Sequence, residues 1–251
     1  MKEANQSIQQ TEIQNGGAPR LVPRHIAVIP DGNRRWAKKQ GLPTLAGHKE
    51  GVENFRRLLS ACAERGVQYV SFYAFSTENW KRSEKEVQGR MRLMLQYLKN
   101  FDKVMGKNKS KVRFLVAGER SLLSKELQEG IEIMERETAG NTDLTAVICI
   151  NYGGRDEIVH AARKLANQVA EGVLKPEDIT EDRLGDALYT QLPDPDLLIR
   201  TSGEERISNF MLWQLAYAEF YFTPALWPEF SEEELDRAIE TYNNRQRRFG
   251  N

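Results

Sequence analysis

The chain has 251 residues, and its 36 lysines and arginines are balanced by 36 aspartates and glutamates, so the formal net charge is zero. This balance argues against binding of nucleic acid through a general positive field, and no nucleic-acid partner is expected. The apolar fraction of 40% suits a globular protein with a substantial core. No apolar run approaches the ~18 residues of a membrane span, and the polar first residues are unlike a signal peptide, which favours a cytoplasmic protein.

The chain divides into a short tail and one predicted domain. Residues 1–20 are rich in Gln, Asn and Gly with almost no large apolar side chains, which predicts a disordered tail. Residues 21–251 have a length that suits one α/β domain. The two cysteines, Cys62 and Cys149, lie in apolar stretches without metal-ligand spacing, which favours buried free thiols.

Short apolar runs typical of buried strands alternate with segments of helical periodicity. The predicted strands span 25–30, 69–75, 112–118, 145–154 and 196–203. Apolar spacing predicts helices within 52–62, 87–101, 123–134 and 158–169. A last helix is predicted to begin at a capping box formed by Ser231 and Glu234. The alternation predicts a single α/β domain with a central, mostly parallel sheet that helices cover on both faces.

Ligands of such sheets bind outside the carboxyl ends of the strands, so the residues that follow each strand are the candidates for chemistry. Four of these segments carry arginines, which are Arg34, Arg35, Arg82, Arg155, Arg200 and Arg206. Guanidinium groups match phosphate oxygens with two parallel hydrogen bonds, so a shared rim of arginines favours a polyanionic ligand. Taken singly, each arginine is equally compatible with an ordinary surface position.

Acidic residues and a histidine belong to the same predicted rim. Asp31 fits either a helix N-cap or a carboxylate that holds Mg²⁺ against diphosphate oxygens, and Glu78 and Glu219 are further acids of this rim. His48 follows a glycine and is predicted to open a helix, where it could face an anion, although a structural role is commoner for a lone histidine. The sequence lacks GxxxxGK[ST] and GxGxxG, which disfavours a P-loop NTPase and a dinucleotide-dependent dehydrogenase.

Four ordered blocks are more specific than any short motif. They are DGNRRWAKKQG, YAFSTENWKR, NYGGR and RTSGEERISNFMLWQLAYAEFYFTPALWPEF. In these blocks the sequence resembles the cis-prenyltransferases, and the resemblance runs from about His25 to Gly250. It implies a single α/β domain that works as a homodimer with Mg²⁺ and condenses an allylic diphosphate with isopentenyl diphosphate.

The resemblance also implies the product and its destination. Farnesyl diphosphate is the expected allylic substrate, and the expected product is a long cis-polyprenyl diphosphate that serves as a lipid carrier for cell-wall or glycan synthesis. Such a product partitions into the membrane, so the implied location is cytoplasmic and peripheral to the membrane. A synthase of medium or short chains with a different allylic substrate stays open as the alternative.

The resemblance assigns roles to individual residues. Asp31 is the implied catalytic acid and a Mg²⁺ ligand, Glu219 is the second Mg²⁺ ligand, and Asn79 is the implied proton acceptor. The implied allylic diphosphate site consists of Gly32, Asn33, Arg34, Arg35, Trp36 and His48. The implied substrate-contacting loop includes Ser76, Thr77, Glu78, Trp80 and Arg82. The implied isopentenyl diphosphate site consists of Arg200, Arg206, Ile207 and Ser208. An amide is a weak base, so we interpret Asn79 as part of a proton route to released diphosphate.

Three residues depart from the family pattern. Thr44 replaces an arginine that contacts the allylic diphosphate, Arg34 replaces a glycine, and Pro30 replaces a methionine. We interpret Arg34 as a replacement for the charge that is lost at Thr44. The small Ala74 favours a long product, because a bulky residue there would obstruct the tunnel of a short-chain enzyme.

Apolar side chains predict either a tunnel for the growing chain or an ordinary core, and the core interpretation is favoured. These side chains are Leu93, Met94, Leu98, Phe101 and Val147.

Two other functions compete with an active prenyltransferase. A non-catalytic partner subunit of the same fold would not be expected to retain Asp31, Asn79 and Glu219. A phosphatase or nucleotide-binding module would not need the long block that follows Arg200.

Overall fold

Six parallel strands form the central sheet of the protein. The structure is a computed structural model, and it describes residues 12–13, 20–106 and 110–245. The strands are β1 (His25–Ile29), β2 (Tyr69–Ser76), β3 (Val112–Ala117), β4 (Leu144–Tyr152), β5 (Leu197–Arg200) and β6 (Glu219–Phe222). They lie in the order β3-β4-β2-β1-β5-β6, and each neighbouring pair is parallel. The predicted α/β class is confirmed, with β6 as an additional edge strand.

Helices flank this sheet and connect its strands. They are α1 (Asn33–Lys39), α2 (Thr44–Glu64), α3 (Glu84–Lys99), α4 (Phe101–Met105), α5 (Lys125–Thr138), α6 (Gly154–Ala170), α7 (Glu181–Ala187) and α8 (Glu232–Asn244). Short 3₁₀ turns span Thr77–Lys81, Pro176–Asp178 and Trp227–Glu229. Within the described parts of the chain, no helix combines the length and apolar character that crossing a membrane requires.

Two helix boundaries differ from the sequence prediction. Helix α2 begins at Thr44, eight residues before the predicted segment, because Pro43 supplies the backbone conformation of an N-cap. The first two turns of the helix are mostly polar, so apolar spacing does not predict them. His48 therefore lies in the second turn of α2 and does not open the helix. The predicted helix over 87–101 is interrupted at Asn100, where the chain leaves α3 and begins α4.

The core lies on both faces of the sheet, as expected for parallel strands. Along the central strand β1, Ile26 belongs to one buried cluster and Ala27 to the cluster on the opposite face. Cys62 and Cys149 are buried free thiols, which confirms the prediction, and burial raises the pKa of Cys62 to about 12. Burial also raises the pKa of the Cys149 thiol.

The two ends of the described chain bear on two further predictions. Glu12–Ile13 pairs antiparallel with Arg20–Leu21, and the rest of the predicted tail lies outside the described residues. At α8, Ser231 Oγ accepts a hydrogen bond from the backbone N–H of Glu234 at 3.4 Å, which confirms the N-cap. The Glu234 carboxylate instead accepts a hydrogen bond from Thr223 Oγ1 at 2.8 Å, so the reciprocal half of the capping box is not formed.

Candidate active site

A large cleft opens at the carboxyl ends of the central strands. Its volume is about 1390 Å³, and its walls come from the segments after β1, β2 and β5 together with α2 and α3. One part is polar and carries, beside His48, cationic side chains, which are Arg34, Arg35, Lys38, Arg82, Arg90, Arg200 and Arg206. The other part is apolar and is lined by Val52, Phe72, Ala74, Leu93, Met94 and Trp227. One cleft can therefore accommodate a polyanionic head and an apolar chain together.

Asp31 lies where β1 ends and is held by groups on both of its oxygens. Its Oδ1 accepts a hydrogen bond from the backbone N–H of Gly32 at 2.7 Å, and its Oδ2 accepts one from Arg200 at 3.0 Å. Gly32 has a φ of 109°, a conformation that side chains disfavour, and a Cβ there would lie 3.0 Å from Leu226. The turn therefore requires glycine, and it leaves the Asp31 side chain 36% exposed to the cleft.

Close packing of α1 on α2 fixes the segment that follows Asp31. A Cβ on Gly47 would lie 2.0 Å from the backbone oxygen of Asn33, and a Cβ on Gly51 would lie 2.3 Å from Asn33 Oδ1. Asn33 Oδ1 and His48 Nε2 are both buried without a hydrogen-bond partner. Burial lowers the pKa of His48 to about 4, with Arg90 as the largest charge effect, so the imidazole is neutral near pH 7. Both orphaned atoms belong to residues that line the cleft.

Arg200 connects Asp31 to the segment that follows β5. Its side chain is 4% exposed and donates to Ser208 Oγ at 2.7 Å as well as to the backbone oxygen of Arg206. The buried Arg200 Nε has no partner. Arg206 forms an ion pair with Glu204, which also contacts Arg35 at 3.2 Å. Arg35 also lies 3.8 Å from Asp31, so three arginines share the two carboxylates of Asp31 and Glu204, which leaves excess positive charge at the mouth of the cleft.

The loop after β2 forms the facing wall. Asn79 Nδ2 donates to Ser76 Oγ at 2.9 Å, and Glu78 accepts a hydrogen bond from Asn209 at 2.9 Å. Burial opposes ionisation of Glu78, but the hydrogen bonds from Asn209 and its own backbone outweigh this effect and lower the pKa of the carboxyl. Arg82 pairs with Glu86 at 2.6 Å.

Most of the predicted site residues line this cleft. Those that do are Asp31, Gly32, Asn33, Arg34, Arg35, His48, Ser76, Glu78, Asn79, Arg82, Arg200, Arg206 and Ser208. Those that do not are Trp36, Thr77, Trp80, Ile207 and Glu219, together with Arg155 of the predicted arginine rim. Trp80 is held away from the cleft because its indole N–H donates to Asn151 Oδ1 at 2.7 Å.

The structure does not bring Glu219 and Asp31 together. Asp31 follows the carboxyl end of β1, whereas Glu219 begins β6 at the opposite end of the sheet. Phe222 is level with Arg200, and Glu219 precedes it by three strand residues, or about 10 Å along the strand. Glu219 is instead paired with Arg245 at 2.6 Å. Within one chain, the two predicted ligands are therefore unable to share an ion.

The apolar wall is partly predicted and partly new. Leu93 and Met94 line the cleft, whereas Leu98 and Phe101 pack against one core cluster and Val147 belongs to the other. Val52, Phe72, Tyr97 and Arg90 also line the cleft and were not predicted from the sequence. Arg90, Leu93, Met94 and Tyr97 follow helical spacing on α3, so one face of that helix is the signal that could have identified Arg90 and Tyr97.

Comparisons with known proteins agree with this geometry. A prenyltransferase family model described as "Putative undecaprenyl diphosphate synthase" matches residues 29–250. The chain belongs to the cis-prenyltransferase family. It is 51% identical over 229 residues to the isoprenyl transferase of Fusobacterium nucleatum, covering 91% of this chain and 96% of that protein. The predicted family is thereby confirmed, and the protein is a prenyltransferase enzyme.

Two further proteins are similar to this chain over most of its length. A Vibrio cholerae relative named ditrans,polycis-undecaprenyl-diphosphate synthase, farnesyl-diphosphate specific, is 50% identical over 231 residues and 92% of each chain. The crystal structure of lavandulyl diphosphate synthase from Lavandula x intermedia, in complex with dimethylallyl diphosphate, superposes with a TM-score of 0.87. That protein is 39% identical, and the match covers 92% of this chain and 99% of the other.

Proposed function

We propose that the cleft condenses isopentenyl diphosphate with farnesyl diphosphate and repeats the reaction to give a long cis-polyprenyl diphosphate, a lipid carrier for cell-wall or glycan synthesis. The observation that carries the proposal is the continuity of the arginine-rich polar part with the apolar part in one space of about 1390 Å³. The name of the Vibrio cholerae relative supports farnesyl diphosphate as the primer. Ala74 on the apolar wall supports a long product, because its methyl group leaves that wall open.

The two diphosphates are assigned to two neighbouring sets of groups. Arg200, Arg206 and Ser208 hold isopentenyl diphosphate, because an arginine offers paired donors to phosphate oxygens. The allylic diphosphate takes the turn from Gly32 to Arg35 and the first turns of α2, where backbone N–H groups and the helix dipole favour an anion. The apolar chain of the allylic substrate then lies along α3.

The donor set at Asp31 fits Mg²⁺ that arrives with a diphosphate. Among the residues that the structure describes, no group of three His, Cys, Asp or Glu side chains could hold a metal by itself. Mg²⁺ in phosphate sites is typically bound by one or two carboxylates, with substrate oxygens and water as the other ligands, and the half-exposed Asp31 supplies one such carboxylate. When bound, the ion supplies positive charge that stabilises the departing diphosphate. Glu219 would have to come from a second copy of the chain to share that ion.

Side chains of the protein perform the other parts of the reaction. Arg34 and Arg35 stabilise the negative charge that develops as the C–O bond of the allylic diphosphate breaks. The apolar walls from α3 and β2 exclude water from the allylic cation, which the double bond of isopentenyl diphosphate then captures. The proton that the new product loses passes to the released diphosphate, because the neutral amide of Asn79 is too weak a base to keep it.

The homodimer and the membrane location are part of the same proposal. The edge strand β6 is partly exposed along its whole length, and Tyr217, just before it, is 81% exposed. Such an edge supports pairing with a second copy. A long polyprenyl product has almost no solubility in water, so its release supports a peripheral location at the membrane. Sedimentation of the purified protein, with and without lipid vesicles, measures both properties.

Product analysis tests the proposed reaction. The purified protein is incubated with Mg²⁺, radiolabelled isopentenyl diphosphate and either farnesyl or dimethylallyl diphosphate, and the extracted lipids are sized. We expect many condensations on farnesyl diphosphate and few on dimethylallyl diphosphate. A single condensation that favours dimethylallyl diphosphate would support the short-chain alternative instead. Absence of labelled lipid with either primer would contradict the proposal.

A further inference from the structure

Arg90 is a cation of the cleft that the proposed function leaves without a role. It extends from α3 on the same face as Leu93, Met94 and Tyr97, at the boundary between the polar and apolar parts. Its Nη1 donates to Asn79 Oδ1 at 2.7 Å, and its Nη2 donates to the backbone oxygen of Ala74. The guanidinium also lies 4.9 Å from the centre of the Phe75 ring. Arg90 therefore joins α3 to the end of β2 and to the loop that follows.

The charge of Arg90 is not neutralised by an adjacent acid. No carboxylate of the described residues lies within 4.0 Å of its guanidinium, and its hydrogen-bond acceptors are a neutral amide and a backbone carbonyl. Burial is the main cause that lowers the pKa of Arg90 to about 10; the nearby Arg82 contributes to this shift and Glu86 opposes it. Arg90 therefore remains charged at neutral pH and acts on the groups that it touches.

Contact with Arg90 determines which way the Asn79 amide faces. A guanidinium can only donate hydrogen bonds, so the atom of Asn79 that faces Arg90 must be the carbonyl oxygen. The amide nitrogen then faces Ser76 Oγ, to which it donates at 2.9 Å. An amide oxygen that accepts a hydrogen bond from a cation loses basicity. The second N–H of the nitrogen is the group of Asn79 that stays available to a substrate oxygen.

We propose that Arg90 is a positioning residue that orients Asn79 as a hydrogen-bond donor to a diphosphate oxygen, so that Asn79 does not accept the proton of the reaction. This inference rests on the proposed function and deepens it at the same site. In the condensation, the C–H bond of the new product breaks, its electrons form the double bond, and the proton goes to an oxygen of the released diphosphate. The Asn79 amide stays neutral throughout.

Substitution of Asn79 separates the donor and acceptor roles. Asn79→Asp replaces the amide by a stronger base that cannot donate. We expect kcat to fall at least as far as it does in Asn79→Ala, because the new carboxylate loses the N–H and repels diphosphate. An Asn79→Asp enzyme that keeps kcat within threefold of the unsubstituted enzyme would overturn the proposal, since a base would then be able to perform the function of the amide.

A double-mutant cycle tests whether Arg90 acts through Asn79. Arg90→Met should lower kcat about tenfold or more and leave both KM values within about twofold, because it changes orientation more than substrate binding. In the Asn79→Ala background the same change should alter kcat by less than about twofold. Arg90→Lys, which keeps the charge and one donor, should recover part of the loss. Arg92, which is exposed on the same helix, gives the matched control Arg92→Met with unchanged kcat.

The other outcomes of the cycle are equally decisive. Equal losses in both backgrounds, or a main effect on the KM of the allylic substrate, would mean that Arg90 contacts substrate directly and would overturn the proposal. If Arg90→Met does not unfold at the same temperature as the unsubstituted enzyme, Arg90→Lys takes its place in the double-mutant cycle. Failure of the proposed function is distinct, because the unsubstituted enzyme would then make no labelled lipid.

A spectroscopic measurement tests the positioning without turnover. The side-chain amide signal of Asn79 in ¹⁵N-labelled protein is identified by its absence from Asn79→Ala. We expect slow hydrogen exchange of this amide in the unsubstituted protein and in Arg92→Met, and faster exchange in Arg90→Lys. The same exchange rate in all three proteins would overturn the proposal.

Discussion

Arg200 donates a hydrogen bond to Asp31 Oδ2 at 3.0 Å, and this contact joins the end of β5 to the turn that follows β1. The side chain of Arg200 is 4% exposed, whereas that of Asp31 is 36% exposed. The arginine is thus fixed by contacts within the fold, and the acid is the more accessible of the two to a ligand. The two proposed diphosphate sites therefore share a wall, so a change at either residue affects both.

Loss of the Asp31 carboxylate should abolish most turnover while the fold persists. Asp31→Ala removes the group that we assign to Mg²⁺, and removal of one preorganised electrostatic group costs about 10²- to 10³-fold in kcat. The measurement is steady-state incorporation of labelled isopentenyl diphosphate at saturating Mg²⁺. Asp182→Ala, at an exposed acid in α7, is the control and should keep full activity. Retention of more than a tenth of the turnover in Asp31→Ala would show that its assigned role is wrong.

Arg206→Ala should weaken isopentenyl diphosphate more than the allylic substrate. The change removes a charge-assisted contact worth about 1.5–3 kcal/mol, which corresponds to a rise of roughly 10- to 100-fold in KM. The side chain is 61% exposed, so its loss leaves no buried group without a partner and the fold should be unaffected. Arg155→Ala is a matched control, because Arg155 is exposed but lies outside the cleft. Equal increases in the KM of both substrates would contradict the division into two sites.

The sequence predicted the sheet and the polar part of the site better than it predicted the apolar wall. Asp31, Arg35 and Arg200 could be placed together because parallel strands bring their carboxyl ends to one edge. The role of Arg90 could not be predicted, since it depends on the position of α3 relative to β2. The edge strand β6 was missed for a related reason, because its four residues are all partly exposed and lack the pattern of a buried strand.

The structure places two of the residues that depart from the family pattern, Thr44 and Arg34, in the cleft. Thr44 begins α2, Arg34 belongs to α1, and both line the cleft. The Arg34 side chain is 61% exposed and lies 3.9 Å from Glu86. Its guanidinium is therefore only weakly held, which suits a residue that turns towards a diphosphate when one binds.

Thr44→Arg in two backgrounds tests whether Arg34 replaces the missing charge. If it does, the added arginine crowds Arg34, and the KM of the allylic substrate should stay constant or rise. In the Arg34→Gly background, the same substitution should lower that KM by up to about tenfold, the effect of one ionic hydrogen bond. The KM of isopentenyl diphosphate serves as the internal control and should change little. Equal improvement in both backgrounds would contradict compensation by Arg34.

His48 should make the protein less stable in acid. Its pKa is about 4 in the folded protein because of burial and Arg90, and 6.5 is its ordinary value. Between these values the unfolded chain binds more protons, so the free energy of unfolding falls as the pH drops from 6.5 to 4. The contribution is up to about 3 kcal/mol, at about 1.4 kcal/mol for each pH unit. Urea unfolding at several pH values measures it.

The His48→Gln variant isolates this effect, because the second buried histidine, His25, is present in both proteins. The difference in unfolding free energy between the two proteins should be constant above pH 7 and should shrink as the pH falls to 4. A difference that is independent of pH over this range would mean that His48 is solvated in the folded protein.

The position of β1 has a consequence for how the chain acquires its site. β1 pairs with β2, and on its other side it pairs with β5, where Ile26 is level with Leu197. The turn at Asp31 is therefore completed by a strand that lies some two thirds of the chain further on. Contacts between such distant segments form slowly, and a chain still emerging from the ribosome has to wait for its last quarter. During that interval the edge of β1 is unpaired, and an unpaired edge is a place where another chain can add a strand, so the nascent chain is exposed to aggregation there.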